Sequence, residues 1–447
     1  MEITAVVAEG VLDRFNYSIT MGEQEDCSPD GRMRVIYAPN GRGKTNMLSA
    51  LSSLLSPSYE SFSSLCDSPL NSLRVQLTNG SEIRFNKKDP FDVNYSLEVY
   101  DADGGGTVSA QVEQEVLARR PYFRIFRDNP ELGKVGNAIE RLHPGAIWIG
   151  ADRLNPRSDE EIDDRYPRRQ VDRSAAQRRD VLQLLLERIE KTFSNSALRT
   201  VTREQNQVYG RLTKTLLNGR TKTAGTATAA REYLESRIAD LLERGEGSAK
   251  FGLISLSELK GISKELSSVR QNKQQLKTLQ TILEPYFEIL EKQIEAMEPT
   301  RHSVEAFVSS SNAFLDDKRV EFNSGEGITL YSDVEMELAP RALSSGERHI
   351  LLLLAHAVIA ADNHKLLVID EPEISLGIDW QRRLLFNLLK CSSSNAQMQD
   401  RQDSQLLVAT HSLQVMGEVD PSDIVTVQGA STRSHIAVQD GEINGDA

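Results

Sequence analysis

The chain has 447 residues, room for two or three domains or for one core with an insertion. With 39% apolar and 26% charged residues it has a sizeable core, and no apolar run approaches the roughly 20 residues of a membrane span, which excludes a self-contained membrane transporter. The net charge of −13 argues against a surface coated for nonspecific DNA binding, and Cys27, Cys66 and Cys391 are too scattered for a disulfide framework or a metal pair.

The N-terminus, MEITAVVAEG, lacks the layout of a signal peptide, so the chain reads as cytoplasmic, with no membrane partner. Residues 1–37 read as short strands ending in the alternating run RMRVIYA. IYAPNGRGKT follows, Ile36 to Thr45, with Gly43, Lys44 and Thr45 in the order of a phosphate-binding loop. The spacing G-x-x-x-x-G-K-[ST] asks for glycine at 38, where this chain has Ala38; alanine is tolerable there unless the position needs a positive φ. Met47, Leu48, Leu51, Leu54 and Leu55 then recur with a helical period, so the loop lies between a strand and a helix. SLRVQLTNGSEIRFN reads as a hairpin turning at Asn79-Gly80, and VNYSLEVYDADGGG as a further strand and turn.

Two basic runs, Ala118–Arg127 and Arg165–Arg173, are candidate nucleic-acid contacts, against the plainer reading of a solvated face. From about Ala175 the pattern becomes helical. Leu182, Leu185, Leu186, Ile189 and Phe193 share one face, as do Leu234, Ile238, Leu241 and Leu242. Leu276, Leu283, Leu290 and Met297 recur every seven residues, but Pro285 is expected to interrupt any continuous coil. Ordinary helix packing is the favoured reading over a partner-binding arm, and Asn218–Arg231 reads as a mobile linker. The expected division is 1–174, 175–300 for the helical insertion, and 301–447.

After Thr300 short strands return, followed by LSSGERHI before an apolar helix, LLVIDEPEISL, and QLLVATHSL, with little chain after this last strand. The Ser-Ser-Gly turn makes a second anion-binding helix start. Leu366–Ile369 delivers Asp370 and Glu371 at a strand's C-terminal end, where ligands bind in parallel sheets. Phosphoryl transfer to water needs a held Mg²⁺ and a group that orients the water, and Asp370 and Glu371 suit those two tasks. Paired acids alone are more often a helix cap, and a lone His411 more often structural.

The order of these motifs resembles that of ABC-type ATPase heads of the SMC, RecF and OLD-like branch, over roughly residues 1–155 and 300–430. The resemblance implies an α/β P-loop head with an antiparallel β subdomain and a short helical or coiled-coil insertion. It makes APNGRGKT the Walker A loop, LSSGE the signature, VIDEPE the Walker B strand and ATHS the switch. By the same resemblance Asn40, Gly41, Gly43, Lys44, Thr45 and Asn46 cradle ATP. Thr45 and Asp370 hold Mg²⁺, and Glu371, His411 and Lys44 are catalytic. Ser344, Ser345, Gly346 and Glu347 would complete the site of a second copy, which implies a dimer or higher homo-oligomer. Ser375-Leu376-Gly377 departs from the SLH common in this branch, and Asp152 or Arg153 is the candidate for the glutamine that bridges metal and water.

An OLD nuclease domain would need far more than the 36 residues after His411, so a nuclease is expected on a separate chain. The size and motif style resemble stand-alone ATPases of bacterial anti-phage systems, that of PARIS first and those of Septu and retrons next. Such a protein senses infection through a phage trigger and holds or releases a toxic effector. The rival is a RecF- or SMC-like repair ATPase whose ligand is DNA. A scaffold that binds ATP without turnover is disfavoured by the intact Glu371.

Overall fold

A computed structural model describes residues 1–22, 32–113, 129–150, 180–194, 227–268, 273–393 and 404–429. A five-stranded parallel sheet forms its centre, in the order β13 (Ile424–Thr426), β3 (Met33–Tyr37), β12 (Leu406–Thr410), β11 (Leu366–Asp370), β8 (Ala146–Ile149). Strands β11 and β12 are buried along their whole length, as a parallel sheet covered on both faces requires. Their side chains alternate between two cores. Leu366, Val368, Leu407 and Ala409 point into one, and Leu367, Ile369, Leu406 and Val408 into the other.

The first core is closed by α1 (Lys44–Leu55), α2 (Tyr59–Asp67), α3 (Pro130–Leu142) and a seven-stranded antiparallel sheet. That sheet runs β14 (Gln428–Gly429), β2 (Phe15–Thr20), β1 (Ile3–Val11), β4 (Ser72–Leu77), β5 (Glu82–Asn86), β6 (Tyr95–Asp101), β7 (Gly106–Val112). The Asn79-Gly80 turn joins β4 to β5 as expected, with Gly80 at φ 82°. Gln405 stitches the two sheets together, its amide accepting from Ile3 N and donating to Ile3 O, both at 2.8 Å. The chain does not end its sheets at β12. β13 extends the parallel sheet and β14 the antiparallel one, with the buried Arg34–Asp423 pair fixing the start of β13 to β3. These strands are too short and mixed in composition to stand out by periodicity.

The second core joins the other face of the parallel sheet to the helices. These are α4 (181–194), α5 (Ala227–Lys250), α6 (Ser257–Ser268), α7 (Lys273–Asn312), α8 (Ser345–Asp362) and α9 (Ile378–Ser392), beside the hairpin of β9 (Lys318–Asn323) and β10 (Gly327–Ser332). Helix α8 is apolar all round and buried on nearly every side, the pattern of a helix inside a core. No helix among the described residues is long and apolar enough to cross a membrane.

Two expectations for the helical part need correction. Pro285 does not interrupt α7, which continues for 40 residues through Pro285 and Pro299, about 60 Å of helix at 1.5 Å per residue. A proline removes one backbone donor and crowds one carbonyl, yet burial of Leu276, Phe287, Leu290, Ile294 and Met297 holds the helix together. The boundary at residue 300 falls inside this helix, and insertion and C-terminal head share one apolar core.

Helices α5 and α7 also run in the same direction. Tyr233 donates to Glu284, Arg237 and Arg244 pair with Glu291, and Arg244 with Glu295, so partner numbers rise together. Helix α6 and its flanks return the chain between them, and the heptad stripe is ordinary packing inside the fold. Both basic runs, and most of Asn218–Arg231, lie outside the described residues.

Candidate functional site

The loop after β3 spans residues 38–43, and its geometry answers the question of the missing glycine. Ala38 is buried and is not among the residues with positive φ, so a Cβ costs nothing there. Gly41 and Gly43 do require glycine, at φ 78° and 80°. A Cβ on Gly43 would lie 2.6 Å from Val11 Cγ1, because the β1–β2 hairpin presses on the loop. The same hairpin braces it from the side, with Tyr17 Oη donating to the Arg42 carbonyl at 2.7 Å and the Arg42 guanidinium over the Phe15 ring. Burial pushes the Tyr17 hydroxyl well above its ordinary pKa, so it remains a donor.

Helix α1 starts at Lys44 with Gly43 as its N-cap, no side-chain cap and no acid in its first turn. Its first N–H groups are therefore left to an external anion. A Cβ on Gly41 would meet nothing within 4 Å, so the loop's backbone is open to a ligand there. Lys44 is buried and its Nζ donates to Ala38 O at 2.5 Å and Pro39 O at 3.3 Å, which folds the ammonium into the loop. Asn40 and Thr45 are exposed and Asn46 half-buried along the same turn.

The loop meets the parallel strands through one short hydrogen bond from Thr45 Oγ1 to Asp370 Oδ2. Asp370 ends β11 and is buried, and Glu371 follows at φ 52°, a strained conformation for a side chain of its size. Its N–H still donates to Ala409 O at 2.8 Å, so the ladder to β12 holds through the turn. His411, just past the end of β12, brings Nδ1 to 3.4 Å from Glu371 Oε1 and 3.1 Å from Glu373 Oε1. The three neighbouring strands β3, β12 and β11 thus deliver Lys44–Thr45, His411 and Asp370–Glu371 to one edge.

A hydroxyl and a carboxylate, both hard oxygen donors, fit Mg²⁺, which takes few protein ligands and completes its shell with phosphate and water. Among the described residues no cluster of three or more His, Cys, Asp or Glu forms a stand-alone metal cage. Together with the open glycine loop and the uncapped helix, the donor set fits a metal–triphosphate.

The start of α8, the expected signature segment, is built differently. Ser344 caps α8 by accepting from Glu347 N at 3.3 Å, while Ser344 N donates to Glu347 Oε2 at 2.6 Å, a reciprocal capping box. Lys318 Nζ donates to Glu347 Oε1 at 2.8 Å. Burial opposes the charged form of Glu347, yet Lys318 and Ser344 outweigh it and hold its carboxyl below the usual carboxylate range. Gly346 packs on the turn after β11, where a Cβ would lie 3.0 Å from Ser375 O. Ser344 and Ser345 are exposed, and among the described residues no hydrogen bond joins 344–347 to 40–46.

Asp152 and Arg153 lie outside the described residues. The sequence reading missed Glu373, although a third carboxylate two residues after Glu371 was there to be noticed. It also missed Gln381, whose amide donates to Leu376 O at 2.9 Å and accepts from Ser412 Oγ at 2.8 Å, tying the turn after β11 to the segment after β12.

A family model described as "AAA domain, putative AbiEii toxin, Type IV TA system" matches residues 35–417. That span holds the loop after β3, the capped start of α8, Asp370–Glu371 and His411. No curated protein matches the chain.

Proposed function

Because the chain belongs to this AAA-domain family of P-loop ATPases, we propose that it hydrolyses ATP to switch an anti-phage defence assembly. The observation that carries the reading is the junction of Thr45, Asp370, Glu371 and His411 at the C-terminal edge of adjacent parallel strands. Bound ATP with Mg²⁺ supplies the phosphoanhydride and a Lewis acid. Lys44 leaves the loop carbonyls to neutralise phosphate oxygens, and the α1 N–H groups and Gly41–Gly43 backbone cradle them. Thr45 and Asp370 would hold the metal. Glu371 orients and deprotonates water, and His411 contacts the terminal phosphate. Ser344 and Ser345 of a second copy close the site from outside, so turnover couples to assembly.

The family's description, an AAA domain and putative AbiEii toxin of a type IV toxin–antitoxin system, is in keeping with a defence role; within such a role we take the stand-alone ATPase of PARIS as the working parallel. The chain then answers a phage trigger and holds or releases a separate nuclease or toxin. The test is a pull-down of the Glu371→Gln chain with ATP, expressed with its native neighbouring genes. A co-purifying small nuclease or toxin is the expected result. A particle that carries DNA and no protein partner would overturn the defence reading in favour of a repair ATPase.

A further inference from the structure

Glu373 is 6% exposed, and among the described residues the two hydrogen bonds and the one ring contact that reach it come from two consecutive residues at the end of β12. Its Oε1 accepts from Thr410 Oγ1 at 2.6 Å and from His411 N at 3.0 Å, and lies 3.1 Å from His411 Nδ1. Its Oε2 is buried with no hydrogen-bond partner among the described residues. A buried carboxylate is costly unless well paired, and one that spends its bonds on a single neighbouring segment is not general structural filler. At 3.1 Å the carboxylate attracts a proton on Nδ1, which biases the imidazole's orientation and leaves Nε2 for another partner.

We infer that Glu373 is the positioning residue of the switch. It anchors the end of β12 to the turn after β11 and holds His411 with Nδ1 protonated and Nε2 turned to the nucleotide. Glu371 lies farther from the same nitrogen, at 3.4 Å. The assignment to phosphate contact rests on the proposed ATPase reading; the orientation of His411 does not.

The first arm uses the nucleotide-free chain. Imidazole ¹⁵N spectra of the wild type, with His411 assigned by its loss in His411→Ala, should show a protonated Nδ1. A bare Nδ1 with the proton on Nε2 would overturn the inference, whatever the chain does with ATP. The second arm is kinetic. Glu373→Gln keeps an acceptor for Thr410 but drops the charge, and it should lower kcat about tenfold or more while ATP affinity stays within about twofold. In a His411→Ala background the same substitution should cost almost nothing further. Equal losses in both backgrounds would show that Glu373 does not act through His411. If Glu373→Gln does not fold, the first arm decides the matter. A wild-type chain that releases no phosphate would sink the ATPase reading and leave the orientation to the ¹⁵N result.

Discussion

Ala38 and Gly43 share one loop, and the backbone treats them oppositely. Ala38 sits in ordinary φ space, so Ala38→Gly should leave ATP turnover within about twofold of wild type. Gly43→Ala places a methyl 2.6 Å from Val11 at φ 80°, a strain of about 1–2 kcal/mol before any clash, and should abolish nucleotide binding. Turnover assays and titration with a fluorescent ATP analogue check both, and a large gain in Ala38→Gly would show that the loop is strained at 38. His143 offers a second test at this scale. Burial lowers its pKa from 6.5 to about 3, helped by the positive N-terminus and Lys365, and its Nδ1 accepts from Gly145 N at 3.0 Å. A folded pKa below the unfolded one means its stabilisation is present above pH 6.5 and is lost as pH falls toward 3. Between pH 7 and 5 that loss is about 1–2 kcal/mol, and His143→Gln should flatten this limb in urea unfolding. Parallel limbs in both proteins would contradict the assignment.

At the scale of elements, helices α5 and α7 let packing be weighed against charge. Glu291 is held to about pKa 2 by hydrogen bonds from Arg237 and Arg244, against burial, but the cluster lies near the surface and is screened. Glu291→Gln should therefore cost at most about 1 kcal/mol, with the difference shrinking in salt. Leu290, its neighbour, is 4% exposed inside the shared core, and Leu290→Ala should cost about 2–5 kcal/mol at any salt. A larger loss from Glu291 than from Leu290 would reverse this ranking. The same pair shows what the sequence disclosed. The heptad stripe named the buried face of α7 correctly, because helical periodicity is a local property. It could not reveal that α5 and α7 run parallel, since direction depends on the chain between them. Nor did Pro285 end the helix, because tertiary burial outweighed local propensity. In the candidate site, Gly43, Lys44 and Thr45 stood out as a loop motif, whereas Asp370, Glu371 and His411 gained meaning only from the order of the motifs along the chain, and the structure brings them to one edge. Glu373 was not legible, since its partners are 37 and 38 residues away in sequence.

For the molecule as a whole, the parallel and antiparallel sheets and their cores hold one edge where strand ends, glycine loop and His411 meet, while the capped start of α8 stands on the turn beside it. A site assembled this way should bind Mg²⁺–ATP through Lys44, Thr45 and Asp370 and hydrolyse it only with Glu371. The decisive measurement is Mg²⁺-dependent phosphate release by the wild-type chain beside Glu371→Gln, with ATP binding followed in both. The wild type should turn over, and the variant should bind ATP as tightly while releasing phosphate at least about a hundredfold more slowly. A wild type with no turnover, or a variant that keeps pace with it, would contradict the account.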